Sequence, residues 1–402
     1  MTARPTFPRA ERPRGAAFLI LLLLLWCGCH QNSSQGSDGI TYQNDKQPAR
    51  GREGPWSIHI LKIDRSARDL ELHTTLARGT IAGLSTLAEQ VRSLPKSLGE
   101  PLAAINGDFY VTDEKNPYRG DPRGLQILDG ELVSSPADQS TFWIDAAGNP
   151  QATNVISELL VTWPDGRTAP LGLNEERTNG AVVLYTPRLG SSTKTRGGRE
   201  LILDQEGSGS WLPLHAGVTS TGRVRAVNTT GNSPLGSQSM VLSLSPALLE
   251  QAPNLAMIDT GAVVRISTAT TPAMTGVNTA ISGGSVMIRN GKKQDLGSAQ
   301  SSAYKFRSVL ERHPRSAIGA SRDHLFLVQV DGRQPGFSMG MTLSELADYM
   351  LKLGCDVAMN VDGGASATFW FRGQVMNSPC NGGERDIANG IVLVRKPRTA
   401  SR

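Results

Sequence analysis

The hydrophobic pattern of the chain is mainly that of short strands separated by turns. Apolar runs and apolar–polar alternation over a few residues are typical of β-strands. Between them, Asp129-Gly130 lies within the apolar stretch 124–133 and predicts a hairpin. The runs that predict strands are residues 56–63, 70–73, 102–105, 182–185, 201–203, 263–266, 316–320, 324–330, 357–361, 368–371 and 390–394.

Two capping boxes predict short helices among these strands. Thr86 with Glu89 opens the first helix, which Pro95 ends, and Thr342 with Glu345 opens the second, which Gly354 ends. The order strand, capped helix, strand over residues 324–361 favours a local parallel crossover. We therefore predict an α+β fold, in which a β-rich mixed sheet carries a few short helices.

The amino-terminal segment has the pattern of a targeting signal. An arginine-rich start precedes 11 uncharged, mostly apolar residues at 16–26, fewer than the roughly 20 of a membrane span. Residues 1–29 resemble a lipoprotein signal peptide with lipidation at Cys29; an ordinary signal peptide or an uncleaved anchor is the alternative. Residues 30–53 are polar and predict a flexible tether, and residues 54–397 form the body. Each alternative places the body outside the cytoplasm, in the cell envelope, periplasm or medium.

The charge distribution argues against a nucleic-acid partner. The chain has 402 residues and a formal charge of +5, but residues 1–15 carry +3 and the last eight carry +4, so residues 30–394 carry −2. A nucleic-acid-binding body is expected to be basic. The chain also lacks the phosphate-loop, dinucleotide, nucleophile-elbow and zinc-protease motifs, and its six histidines show no ligand spacing. Nucleotide-dependent and zinc chemistry are therefore disfavoured.

Cys355 and Cys380 are the two cysteines of the body. Outside the cytoplasm a disulfide between them is one interpretation, and two separate thiols are the other.

Five short polar clusters lie at the ends of apolar strands. Each contains a carboxylate or a guanidinium, mostly beside glycine, which lets a ligand approach the backbone closely. Arginine offers a planar fork for phosphate, and a strand-end aspartate can act as acid, base or nucleophile. Singly, such clusters are ordinary turns. The clusters are Asn106–Tyr110, Arg315–Gly319, Asp331–Arg333, Asp362–Ser366 and Glu384–Asn389.

In this order, the five clusters resemble the motifs of the phosphodiester glycosidase family. Residues 100–395 carry the resemblance, and Ala365 stands where the family usually has a third glycine. The resemblance implies hydrolysis of a sugar–phosphodiester bond. It also implies a single intertwined catalytic domain, although the length alone suggests roughly two or three domains.

The resemblance suggests a role for each candidate residue. We expect Asp108 and Asp362 to be the two catalytic carboxylates of a glycosidase, with Asp331 in reserve. We expect phosphate to be held by arginine and the sugar or its acyl amide by amide and hydroxyl groups, on a backbone cradle of glycines. The predicted substrate-binding residues are Asn106, Gly107, Arg315, Arg333, Gly363, Gly364, Ser366, Glu384, Arg385 and Asn389.

Two alternatives stay open at this point. One is a non-catalytic envelope module that binds phosphorylated glycans. The other is a metal-assisted phosphodiesterase, in which Asp108, Asp331 and Asp362 hold a divalent cation. The glycosidase itself needs no cofactor. In every case the expected partner is a phosphorylated carbohydrate of a cell-envelope glycan or exopolysaccharide, and the membrane is reached through the amino-terminal lipid or signal.

Overall fold

A computed structural model describes residues 33–37, 39–50, 54–296 and 307–397, and the signal segment with Cys29 lies outside them. The described residues form 25 strands and three α-helices, α1 (Leu87–Arg92), α2 (Pro246–Gln251) and α3 (Leu343–Lys352). The strands are β1 (Ser33–Ser37), β2 (Ile40–Gln47), β3 (Trp56–Asp64), β4 (Leu70–Leu76), β5 (Glu100–Asn106), β6 (Gln126–Leu128), β7 (Glu131–Ser134), β8 (Gln139–Ile144), β9 (Pro150–Thr162), β10 (Thr168–Pro170), β11 (Gly172–Leu173), β12 (Val182–Tyr185), β13 (Arg199–Gln205), β14 (Thr219–Asn228), β15 (Met240–Leu244), β16 (Val263–Thr271), β17 (Thr279–Ser282), β18 (Val286–Arg289), β19 (Lys292–Lys293), β20 (Arg315–Ala320), β21 (His324–Val330), β22 (Val357–Asn360), β23 (Phe369–Phe371), β24 (Gln374–Val375) and β25 (Asn389–Arg395).

The strands form three sheets. Sheet A has eight strands in the order β1-β2-β3-β21-β20-β22-β18-β19. Sheet B has twelve, in the order β11-β12-β15-β13-β14-β16-β9-β8-β17-β6-β7, with β10 beside β9. Sheet C has five, in the order β24-β23-β5-β25-β4. The predominance of β-structure predicted from the sequence is confirmed.

Sheets A and C pack face to face, and each carries a helix on its outer face. Alternate side chains of a strand point to opposite faces. In β20, Ile318 joins the core between the two sheets, whereas Ala317 joins the core under α3. In β5, Ile105 faces the same central core and Ala104 faces α1. The result is a four-layer arrangement of helix, sheet, sheet and helix.

The local signals read from the sequence are confirmed where they can be checked. Thr86 and Thr342 both form capping boxes with the glutamate three residues later. Asp129 and Gly130 form the hairpin turn between β6 and β7, and both have positive φ. Strands β21 and β22 both pair antiparallel with β20, so they run parallel to each other with β20 between them. The crossover through α3 therefore exists and spans one intervening strand.

The prediction of a flexible tether over residues 30–53 is wrong for residues 40–47. These residues form β2, which pairs with β3 along its whole length. Ile40 and Tyr42 are buried, and the Tyr42 ring stacks on Phe371 with centroids 4.9 Å apart. Two apolar positions in period-two alternation are enough to anchor a short strand against an existing sheet. Among the described residues, no helix is both long and apolar enough to cross a bilayer.

Candidate active site

The two candidate carboxylates follow strands of different sheets. Asp108 comes two residues after β5 of sheet C, and Asp362 comes two residues after β22 of sheet A. The two loops are bonded to each other, since the Asp362 backbone N–H donates to the Gly107 carbonyl at 2.9 Å. The site therefore lies where the ends of two packed sheets meet.

The side chain of Asn106 connects the two loops by hydrogen bonds. Its Nδ2 donates to the Asp362 carbonyl at 2.6 Å, and its Oδ1 accepts from the Ser316 hydroxyl at 2.6 Å and from the Thr368 N–H at 3.1 Å. Asn106 is 1% exposed. These contacts make it a positioning residue for the Asp362 loop, which differs from the sugar-binding role expected from the sequence.

Asn389 does the same for the other carboxylate. Its Oδ1 accepts from the Asp108 N–H at 2.8 Å, and its Nδ2 donates to Gln126 Oε1 at 2.8 Å. Gly107 is required at this position, because a Cβ there would lie 2.4 Å from Asn389 Oδ1. Like Asn106, Asn389 is buried and holds the backbone of the site.

The environment raises the pKa of both carboxyls. Burial raises the pKa of Asp108 to about 7, against the lowering effect of the Phe109 and Gly124 N–H groups, which donate at 2.7 and 2.9 Å. Burial likewise raises the pKa of Asp362 to about 6, against hydrogen bonds from Ser366 and Gly363. The negative charge of Asp362 further raises the pKa of Asp108. The two groups therefore titrate as a neighbouring pair in the range used for acid–base catalysis.

Two exposed arginines flank Asp362. The positive charges of Arg385 and Arg333 lower the pKa of Asp362. The guanidinium of Arg385 lies 5.5 Å from the centroid of the Tyr110 ring, and its Nη1 is 3.5 Å from the Ser366 hydroxyl. Both arginines are exposed, so their forks are available to an anion from solution.

The glycine loop after β22 makes room for the second arginine. Gly364 has a φ of +60°, and a Cβ on it would lie 3.1 Å from a guanidinium nitrogen of Arg333. There is no room for a side chain at Gly363 either, because a Cβ there would lie 2.6 Å from the Pro314 carbonyl oxygen. Ala365 follows in a single 3₁₀ turn, so the alanine at this position is compatible with the loop.

Two of the predicted substrate-binding residues hydrogen-bond the backbone instead. Arg315 is buried and donates to the backbone carbonyls of Met341, Ser308 and Glu311, which makes it a structural residue and not the phosphate ligand expected. Glu384 accepts from the Ala88 N–H and so caps helix α1. A guanidinium or carboxylate at a strand end can hydrogen-bond either backbone groups or a ligand, and the sequence does not show which of the two it does.

Asp331, predicted as a reserve catalytic group, belongs to a separate buried network. It is 0% exposed, and its Oδ2 lies 3.2 Å from His59 Nε2, whose Nδ1 is 2.8 Å from the Tyr42 hydroxyl. Its Oδ1 accepts from the Ser378 N–H at 2.9 Å. Asp331 thus hydrogen-bonds within this network, and its role as a reserve catalytic group stays a prediction. Within the described parts of the chain, no cluster of three or more His, Cys, Asp or Glu side chains is arranged to hold a metal ion.

Several residues of the site were not predicted. His313 accepts from Arg333 Nε at 3.3 Å through Nδ1, and burial lowers its pKa, as do the charges of Arg315 and Arg333. Asp121 is buried, and this burial, together with the charges of Glu175 and Asp108, raises its pKa well above the ordinary value. Neither lies in a recognisable motif, and their proximity to the carboxylates arises only from the fold.

The cysteine pair predicted as one of two interpretations is absent. Cys355 and Cys380 are both free thiols. Cys355 is buried beneath α3, where burial raises its pKa to about 12, and Cys380 is partly exposed in the loop before Glu384.

The site thus combines two neighbouring carboxyls of raised pKa, Asp108 buried and Asp362 partly exposed, with two exposed arginines, the groups that acid–base chemistry beside an anion requires. Consistent with this, residues 214–394 match the sequence model of the phosphodiester glycosidase family, which confirms the resemblance seen in the motifs. The matched segment contains Asp362 and both arginines. Asp108 lies before it and is brought to the site by sheet C.

Two similar proteins have names that state an activity on a sugar phosphodiester. Over 132 residues the chain is 30% identical to N-acetylglucosamine-1-phosphodiester alpha-N-acetylglucosaminidase of Bos taurus, and over 134 residues it is 31% identical to the Homo sapiens protein of that name. Each alignment covers 31% of this chain and 25% of the relative, so the chain spans about a quarter of the length of these curated relatives.

The fold is shared with solved structures at lower identity. A hypothetical protein from Synechocystis superposes with a TM-score of 0.70 at 20% identity, covering 90% of this chain and 63% of that one. A putative exported protein from Burkholderia pseudomallei superposes with a TM-score of 0.63 at 21% identity, covering 85% of this chain and 74% of that one. These two likenesses establish the fold.

Proposed function

We propose that the protein hydrolyses the bond between a sugar and a phosphodiester, releasing the sugar from its phosphate. The observation that carries this proposal is the coupled pair Asp108 and Asp362 beside the exposed forks of Arg333 and Arg385. The family match of residues 214–394 supports the same reaction class.

The two carboxyls suit different tasks. Asp362 is partly exposed and lies next to the arginines, which supports assigning it to the anomeric carbon, as nucleophile or as the base that activates water. Asp108 is buried and has a pKa of about 7, so about half of the molecules carry its proton at pH 7, and we assign it the role of the acid. In the overall reaction a water oxygen bonds to the anomeric carbon, the bond from that carbon to the phosphate oxygen breaks, and its electron pair leaves with the phosphate. One proton of the water stays on the sugar hydroxyl, and the other passes to the released phosphate or to solvent.

The arginines account for the phosphate requirement. A phosphate leaving group needs little protonation, but its negative charge must be held close to an acidic site. Arg333 and Arg385 supply two positive charges beside Asp362, and hydrogen bonds to charged groups contribute roughly 1.5–3 kcal/mol each. Such contacts would discriminate a sugar phosphodiester from an ordinary glycoside.

The proposed setting is the cell envelope. It rests on the lipoprotein-like pattern of residues 1–29, with Cys29 as the lipid-bearing residue and an ordinary signal peptide as the alternative. The substrate class that follows is a phosphodiester-linked sugar of an envelope glycan or exopolysaccharide.

Release of free sugar from a synthetic α-N-acetylglucosaminyl phosphodiester tests the proposal. The control substrate is a matched glycoside that lacks phosphate, and the control proteins are Asp362→Asn and Asp108→Asn. We expect release from the phosphodiester alone, lost in both variants. Full turnover by both variants would refute the assignment of the carboxylates.

Labelled water separates the remaining alternatives. In ¹⁸O water, cleavage of the carbon–oxygen bond puts the label in the sugar, whereas a metal-assisted phosphodiesterase puts it in the phosphate and is stopped by a chelator. A binding module would release no sugar, would keep its ligand in Asp362→Asn, and would lose the ligand in Arg385→Ala.

A further inference from the structure

A second cavity lies at the other end of the strands that carry the site. Strands β20 and β22 run from the active-site end to a cavity of about 460 Å³ lined by Ala320, Ser321 and Val357. At about 3.3 Å per residue, the six residues of β20 separate the two ends by roughly 17 Å. The cavity is therefore distinct from the carboxylate pair, and its volume is that of a small-ligand pocket.

Three guanidinium groups line this cavity. They belong to Arg65, Arg289 and Arg322, and Asp356 is the one carboxylate among the described residues of the lining. Arg322 is exposed, whereas Arg65 is held in place by the backbone carbonyls of Ser321, Arg322 and Gly148. Residues 30–394 as a whole carry −2, so the cavity concentrates positive charge on an acidic body. Its ligand is therefore expected to be anionic.

The remaining lining groups indicate what else the ligand carries. Asn149, Gln151, Asn290 and Thr153 also line the cavity, and amide and hydroxyl groups are types that hydrogen-bond sugar hydroxyls. Aromatic side chains are missing from the described lining, although single-stranded nucleic acid binding depends on stacking platforms. A sugar bearing phosphate or carboxylate fits this chemistry better than a nucleotide does.

The cavity continues into a larger one. A neighbouring cavity of about 1180 Å³ shares Arg65, Asn149 and Arg322 with it, so the two form one extended groove. The larger part carries acidic and basic side chains in nearly equal numbers, Asp145 and Asp323 among the acidic ones. An anionic group is therefore expected in the smaller part only, with uncharged sugar residues beyond it.

We propose that this groove binds a glycan chain with widely spaced anionic groups, one of which occupies the cavity lined by Arg289 and Arg322. The proposal is independent of the hydrolase activity, because it concerns a different end of sheet A. It would hold the protein on a polymer whether or not the carboxylate pair cleaves it.

Binding to immobilised polymers tests this proposal. The probes are a phosphate-bearing mannan, a pectin of low charge density that offers carboxylate, and neutral mannan as the uncharged reference. All proteins carry Asp362→Asn, so that no chain is hydrolysed. The cavity variant adds Arg289→Ala and Arg322→Ala; the matched control adds Arg196→Ala and Arg265→Ala, which removes the same charge from exposed positions outside the cavity.

We expect the cavity variant to bind at least one charged polymer about tenfold or more weakly than the matched control does. A further variant with Arg333→Ala and Arg385→Ala should keep this binding, which separates the groove from the active site. Loss with both polymers identifies a general anion site, and loss with the mannan phosphate alone identifies a phosphate site. Equal binding by cavity variant and control, or no preference of the parent protein for charged over neutral polymer, would overturn the proposal.

Discussion

Replacement of Asp108 by asparagine should change how the stability of the protein depends on pH. The Asp108 carboxyl is 2% exposed, and its pKa is about 7 in the folded protein against 3.8 for an ordinary aspartate. Between these two values the folded state holds a proton that the unfolded state has released. The free energy of unfolding therefore falls as the pH rises from 4 to 7, because the folded state must bury a charge.

The size of the effect follows from the same two values. A difference of about three pH units corresponds to up to about 4 kcal/mol, at 1.36 kcal/mol for each unit. The asparagine variant lacks this titration. The amide also fails to accept from one of the two N–H donors at Phe109 and Gly124, but that penalty is the same at every pH. Part of this titration lies below pH 4.5, so the difference between variant and native protein should move in favour of the variant by about 3 kcal/mol between pH 4.5 and pH 8.

Urea unfolding followed by tryptophan fluorescence measures this difference. The five tryptophans of residues 54–397 report the transition, and free energies are extrapolated to water at intervals between pH 4.5 and pH 8. Asp113→Asn is the matched control, since Asp113 is exposed in the loop that follows β5 and solvent covers it in both states.

A constant difference between the Asp108 variant and the native protein across this range would refute the reasoning. It would mean that the two N–H donors stabilise the carboxylate as much as burial disfavours it. In that case Asp108 would be ionised near neutral pH and could not be the acid of the pair.

The site leads to four further predictions. The pH dependence of kcat/KM should be bell-shaped, with apparent pKa values of the pair near 6 and 7 and activity falling on both sides, as rates at constant ionic strength would show. Arg385→Ala should lower kcat/KM on the phosphodiester by about 10- to 100-fold while leaving an unphosphorylated analogue unchanged, and an equal loss on both would contradict a phosphate role. Asn106→Ala should lower the free energy of unfolding by about 2 kcal/mol or more, because it strands buried partners, and an unchanged urea midpoint would refute its positioning role. Peptide mapping after thiol labelling should find Cys380 modified in the native protein and Cys355 only after unfolding, whereas a disulfide would protect both.

Features that depend on a few neighbouring residues could be predicted from the sequence. The capping boxes at Thr86 and Thr342 and the Asp129-Gly130 hairpin are complete within four residues, and all three form as expected. The strands of the sheets follow from period-two alternation in the same way. Strand β2 was missed because its polar flanks resemble a linker and only its pairing with β3 makes it ordered.

The roles of the site residues depend on partners far away in the chain. Arg315 and Arg385 look alike in sequence, since both stand in an arginine cluster near a strand end. Arg315 is buried and donates to backbone carbonyls, whereas Arg385 is exposed beside Asp362. No local sequence pattern distinguishes these two roles. The resemblance suggests a sugar-binding role for Asn106. Its actual partner, Ser316, lies 210 residues away in the chain and cannot be recognised from the local sequence. The sequence thus suggests Asp108, Asp362, Arg333 and Arg385, which the fold brings close together, but it does not separate ligand-facing from structural residues.

The hydrogen bond between Asp108 and Asn389 joins residues 281 positions apart and has a consequence for synthesis. The Asp108 segment leaves the ribosome first, and the residue that holds its backbone emerges 281 residues later. A nascent or truncated chain that ends before β25 therefore has both carboxylates and lacks the frame that fixes one of them. The proposed hydrolase activity is therefore expected only once residue 389 has been synthesised, and a chain that stops before it should be inactive without any separate inhibitor.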